Sequence, residues 1–133
     1  MDTYIKQFID SDEEFYKAVF HPDGNTRDQK FYEEHHFAVE ETWDLYNVFA
    51  IWLYSRIKGY IEYASSVVDI EYHKFEYEGS EYTQKQLCEM ILEYLEFYFH
   101  TSKSDSWEIE DEGLHKLQDA AKIWAVILPA MWW

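Results

Sequence analysis

The sequence predicts an all-α protein, a single compact bundle of about five helices around a buried central helix. Three observations predict it. Residues 45–54, LYNVFAIWLY, are apolar but for Asn47, and a helix apolar on more than one side must be surrounded. The run is far short of the roughly 20 residues a membrane span needs, so other helices of the chain are expected to cover it. Only 4 Gly and 2 Pro occur in 133 residues, which favours long helices over many short strands. Two later segments carry clear three-to-four spacing. At this length residues 1–133 are expected to form one helical domain with a sizeable core.

Each element has its own signals. Residues 2–10 could form a short helix with Tyr4, Ile5, Phe8 and Ile9 on one side. Ser11 and Glu14 match a capping box, which starts a helix whose inner face includes Phe15 and Val19. His21-Pro22-Asp23-Gly24-Asn25-Thr26 is turn chemistry, and Thr26 or Asp28 could cap the long helix after it. That helical pattern runs over residues 31–58. Val39, Tyr46, Phe49, Leu53 and Ile57 share one face, and Leu45, Val48 and Trp52 share another. Glu33, Glu34, Glu40 and Glu41 suit its positive end, and Arg56 and Lys58 its negative end. Gly59 is expected to stop or kink it, with a separate short helix over 60–68.

Residues 67–78, VVDIEYHKFEYE, are β-branched and aromatic, which suits a strand, but they alternate imperfectly. Strand and helix both stay open there, and Glu78-Gly79-Ser80 reads as a turn. Thr83 and Gln86 form another capping box. Leu87, Met90, Ile91, Tyr94, Leu95 and Tyr98 then make a regular stripe up to His100. Residues 101–106, TSKSDS, are a polar loop. The last helix starts between Ser106 and Gly113, with Leu114, Leu117, Ala121, Trp124 and Leu128 as its seam, widened by Ile123, Val126 and Ile127. That seam also allows a homodimer. Pro129 ends the helix, because it cannot donate the next backbone bond. Trp132 and Trp133 are expected to tuck into the core.

Charge is the strongest compositional fact. The chain has 27 acidic and 11 basic residues, a net charge of −16, and the acids are spread along its whole length. Such a shell repels nucleic acid and anionic membranes and attracts basic partners. The plainer alternative is that the carboxylates keep an aromatic-rich chain in solution. Cys88 is the single cysteine, which suits a reducing compartment. The polar, acidic N-terminal residues carry no secretory signal. A cytoplasmic location in a bacterial or infected host cell is the expectation.

No motif argues for catalysis. Glu33 with His36, and Glu112 with His115, match the Glu-x-x-His pattern of di-iron bundles, with Glu62 and Glu93 or Glu96 as nominal further ligands. With 27 acids and 6 His, two chance matches are unsurprising. His35-His36 is no zinc motif, because adjacent helical residues point about 100° apart. Glu96 and His100 share a face as a surface pair. Cys88 has no evident basic neighbour and reads as a structural thiol. No nucleophile elbow, phosphate loop or Walker-type lysine occurs. No cofactor and no metal are assigned, and the chain is read as a non-enzyme.

The acids themselves are the candidate site. One cluster is Asp10, Asp12, Glu13 and Glu14. A second is Asp69, Glu71, Glu76, Glu78 and Glu81, beside Tyr72, Tyr77 and Tyr82. A third is Asp105, Glu108, Glu110, Asp111 and Glu112. Carboxylates two apart on an extended segment lie about 7 Å from each other on one side. That approaches the phosphate spacing of a nucleic-acid strand, so a groove lined with Lys and Arg would accept the row in place of its substrate. Tyrosine adds rigid contact area at low entropic cost.

In size, charge and aromatic content over the whole chain, the sequence resembles small acidic inhibitors of phages and mobile elements, such as anti-CRISPR and anti-restriction DNA mimics. It is also similar in character to immunity proteins that neutralise nuclease toxins. No family motif carries the resemblance, so it transfers no functional residue. It implies an inhibitor whose partner is a basic nucleic-acid-binding protein, a nuclease or a CRISPR or restriction effector, without direct contact to nucleic acid or membrane. A metal-binding helical-bundle enzyme and a structural or assembly protein remain as alternatives.

Overall fold

The computed structural model describes residues 26–102 and 104–131. The expected helices over 2–10 and 11–20, the acidic cluster at Asp10 to Glu14 and the terminal Trp132 and Trp133 lie outside them. The described chain is mainly helical, with four α-helices and one small hairpin. The helices are α1 (Gln29–His35), α2 (Leu45–Ala64), α3 (Gln84–Thr101) and α4 (Trp107–Ile127). The hairpin pairs β1 (Lys74–Tyr77) with β2 (Ser80–Thr83). The chain divides between Trp52 and Leu53 into two compact units.

In the first unit Asp28, not Thr26, caps α1, its carboxylate accepting the Phe31 N–H at 3.0 Å. The expected single helix over 31–58 is broken. His36 closes α1 in the left-handed region at φ 65°, where its N–H reaches the Tyr32 carbonyl at 2.8 Å. A 3-10 turn (Val39–Thr42) comes next, and Asp44, at φ 33°, precedes α2. Glutamates explain the break. Glu41 turns back to accept the Ala38 N–H at 3.0 Å. Glu40 accepts the Thr26 hydroxyl at 2.6 Å and the Arg27 N–H at 2.8 Å. The Glu41 carboxylate thus satisfies a backbone donor that a continuous helix would otherwise have satisfied, while Glu40 ties the turn back to the residues before α1.

At its other end α2 runs straight through Gly59, so the expected stop and the separate helix over 60–68 do not occur. One interior glycine costs a helix only about 1 kcal/mol, and packing overrides it. Leu53, Tyr54, Ile57 and Ala64 keep one buried stripe on both sides of that residue. The apolar run is not buried all round: Leu45 is 61% exposed, and Tyr46 and Trp52 are also exposed. The helix ends where Ser66 turns its hydroxyl onto the Tyr63 carbonyl at 2.6 Å and Val68 N–H bonds the Ala64 carbonyl at 2.8 Å.

The second unit is built from the end of α2, the hairpin, α3 and α4. Residues 65–73 form turns, so only the end of the ambiguous stretch is a strand. Glu78 (φ 49°) and Gly79 (φ 81°) make the two-residue hairpin turn. Positive φ at both central residues matches the twist of the flanking strands. Thr83 caps α3 as expected, with reciprocal bonds to Gln86 at 3.1 and 2.8 Å. Leu87, Ile91, Leu95 and Tyr98 are buried from the expected stripe, while Met90 and Tyr94 are half-buried. Tyr54 is fully buried. Its hydroxyl donates to the Glu96 carboxylate at 2.8 Å, and its ring meets Phe99 edge-on at 5.4 Å.

The buried seam of α4 keeps Leu117, Ile123 and Ile127 of the expected residues but is rotated toward Gly113 and Ala120. Gly113, Leu117, Ala120, Ile123 and Ile127 are buried, and Leu114 and Leu128 are exposed. Gly113 sets this rotation. A Cβ there would overlap Thr101 Oγ1 and stand 3.7 Å from the Tyr98 Cα. The bare backbone lets the start of α4 lie directly on the end of α3. The buried stripe of α4 packs against α3. Ile127 ends α4, and a 3-10 turn containing Pro129 comes after it.

Candidate acidic interaction surface

The second and third acidic clusters both lie in the second unit. Lys74↔Thr83, Phe75↔Tyr82, Glu76↔Glu81 and Tyr77↔Ser80 are the hairpin pairs. Strand side chains alternate between faces, so Phe75 and Tyr77 are half-buried while Glu76 and Glu81 are exposed. The two carboxylates stand directly opposite each other. Cross-strand partners have Cβ atoms about 5 Å apart, and like charges there destabilise the pair. Glu78, at the turn, is also exposed.

The expected row of carboxylates along one extended segment does not form. Asp69 and Glu71 lie in turns, where the Asp69 side chain accepts the Glu71 N–H at 3.0 Å. Glu71 also faces Lys85 at 3.8 Å. Only Glu76 among the acids of residues 67–78 sits on a strand, because the chain reaches the hairpin through turns. The two tyrosines part company. Tyr72 is 74% exposed, with its ring edge-on to His73 at 5.1 Å. Tyr77 turns toward the helices. Its pKa is pushed up to about 12, first by burial and then by the charges of Glu78 and Asp119, with Tyr94 adding a little.

Of the third cluster, Asp105 lies just before α4 and Glu108, Glu110, Asp111 and Glu112 occupy its exposed first turns, where Glu108 and Glu110 also suit the helix dipole. Glu108, Glu112, His115 and Asp119 succeed each other at 4-3-4 spacing and so share one stripe. That stripe covers about 16 Å of helix. Its far end, Asp119, is the group whose charge Tyr77 feels beside Glu78. Asp119 therefore links the hairpin turn with the acidic start of α4. It was absent from the candidate residues, although its seven-residue spacing from Glu112 was visible in the sequence. Asp111 approaches His115 Nδ1 at 3.7 Å. Lys116, on the flank, lies over the Tyr94 ring at 4.4 Å.

The Glu33–His36 pair does not share a helix face. His36 is the left-handed residue beyond the end of α1, so it leaves the helical face of Glu33. Glu96 is engaged by Tyr54. Among the described residues, no three His, Cys, Asp or Glu side chains are grouped as a metal would require. Cys88 is fully buried in α3, and burial, with the Glu89 charge, pushes its thiol up to about 12. No described helix is long and apolar enough to cross a membrane. No protein-family model, curated protein or solved structure matches the chain.

Proposed function

We propose that the chain is a non-enzymatic, acidic inhibitor that occupies the basic nucleic-acid-binding surface of a partner protein. The observation that carries this reading is the Glu76–Glu81 pair. Two exposed carboxylates directly across a short hairpin raise the energy of the free protein. A cation of a partner placed between them would remove that cost and gain charge-assisted hydrogen bonds. Glu78, Asp119 and the α4 stripe of Glu108 and Glu112 extend the negative surface from there, and the net charge of −16 supplies long-range attraction. The reading also supports a cytoplasmic site of action beside such an enzyme.

Affinity capture with the immobilised chain tests this. Nucleic-acid enzymes should be retained at low salt, released as salt rises, and displaced by competing DNA or RNA. The variant Glu71→Lys, Glu76→Lys, Glu78→Lys should retain none of them. Equal retention by that variant, or indifference to competing nucleic acid, would remove the proposal. The same surface would serve an immunity protein, and the identity of the captured enzyme separates a toxin from a defence effector.

A further inference from the structure

A cavity of about 770 Å³ opens in the second unit, away from the acidic pair, between the turn leading into β1 and the C-terminal end of α4. Its volume is in the range of small-molecule sites. Val68, Ile70, Phe75, Val126 and Pro129 make its walls apolar. Tyr60 of α2 and Gln84 of α3 are polar groups in its lining. Gln84 is only 4% exposed, and its amide Nε2 donates to the Tyr60 hydroxyl at 2.7 Å. That bond uses one of the two Gln84 amide N–H donors and the Tyr60 oxygen as acceptor. The Gln84 carbonyl oxygen and the Tyr60 O–H have no further protein partner among the described residues. Neither is a sealed, unsatisfied atom, since no described polar side-chain atom is both buried and unpartnered. Burial raises the Tyr60 pKa despite the Gln84 bond, so the hydroxyl stays protonated at neutral pH.

The pair thus still offers the Gln84 carbonyl as an acceptor, with the Tyr60 O–H and the second Gln84 N–H as donors. Turning the amide over exchanges the roles and still leaves donors and an acceptor. A ligand that satisfies both groups needs a donor and an acceptor on neighbouring atoms, on a body flat and apolar enough for the walls. We propose that this cavity binds a nucleobase, through its hydrogen-bonding edge, as the free nucleoside. Lys74 and Asp69 both line the cavity and balance in charge. His73 lines it as well, but the chain's net charge of −16 disfavours a phosphate. The site shares Asp69 and Tyr72 with the second acidic cluster, but its binding pair, Tyr60 and Gln84, is separate from the Glu76–Glu81 pair on which the proposed function rests.

Ligand-observed NMR and calorimetry on the full chain test it, with adenosine, guanosine, cytidine and uridine as probes. At least one nucleoside binds, and its 5′-monophosphate binds no more tightly. Methylation of the base on its pairing edge, as in 3-methyluridine or 1-methylguanosine, weakens binding at least tenfold. Tyr60→Phe keeps the ring and loses the donor, and Gln84→Leu loses the acceptor. Each weakens binding by about tenfold, the loss expected for one buried hydrogen bond. A thermal melt of Tyr60→Phe confirms that the loss is not unfolding. The proposal is overturned if no nucleoside binds at millimolar concentration. It is also overturned if indole, which has a donor and no acceptor, binds as tightly, or if Tyr60→Phe binds like the parent.

Discussion

Two glycines show how differently one residue type acts in this chain. A Cβ on Gly59 meets nothing within 4 Å, whereas one on Gly113 runs into Thr101. Gly59→Ala should therefore stabilise the protein by about 0.5–1 kcal/mol, through helix propensity alone. Gly113→Ala should destabilise it by about 1–3 kcal/mol, because overpacking outweighs the same propensity gain. Adding Thr101→Ala should recover part of that loss. Denaturant unfolding of the three variants measures all of this, and equal effects at the two glycines would contradict the close packing at Gly113. Glu40 gives a second prediction at this scale. It is 5% exposed. Burial works to raise its pKa, but the Thr26 and Arg27 hydrogen bonds and the Arg27 charge outweigh it, so the pKa is lowered. Its stabilising contribution is complete above the unfolded carboxylate value and is lost as pH falls through the lower folded one. Glu40→Gln should cost about 1–3 kcal/mol at neutral pH, since it weakens two charge-assisted bonds, and the cost should shrink in acid. Urea melts at pH 7 and pH 3 read the difference.

At the scale of elements, the hairpin is where stability and interaction can be separated. Glu76→Lys turns a repulsive cross-strand pair into an attractive one and should raise stability by about 0.2–1 kcal/mol. The same change should abolish capture of a basic partner, so the melting temperature and the binding signal should move in opposite directions. Loss of stability on Glu76→Lys would show that the carboxylate is structural and that no strain is held there. Gly79→Val should cost the hairpin about 1 kcal/mol or more, because a β-branched residue resists the φ of 81° at that position. The cross-peaks of β1 and β2 in an NMR spectrum would report it.

For the whole molecule, the net charge of −16 is a repulsion that salt screens. Melting temperature should rise between about 10 mM and 500 mM sodium chloride, where screening shortens from about 30 Å to a few ångströms. A flat response would mean that the acids are spaced too widely to repel one another. Weaker partner capture over the same range would give the two salt effects opposite signs, as expected when one set of charges opposes folding and promotes binding.

Helical content, the capping box at Thr83 and Gln86, the buried α3 stripe and the turn at Glu78-Gly79 were all legible in the sequence. Each depends on neighbours within about four positions, and local spacing reports such neighbours directly. The break between α1 and α2, the passage of α2 through Gly59 and the rotation of the α4 seam toward Gly113 and Ala120 were not. They depend on Glu40 reaching Thr26, on a buried stripe continuing past a weak point, and on Thr101 lying against a backbone 12 positions away. The acidic character belongs to the composition. The opposition of Glu76 to Glu81, and the link from Asp119 to the hairpin turn, exist only once strand register and helix phase bring distant residues together.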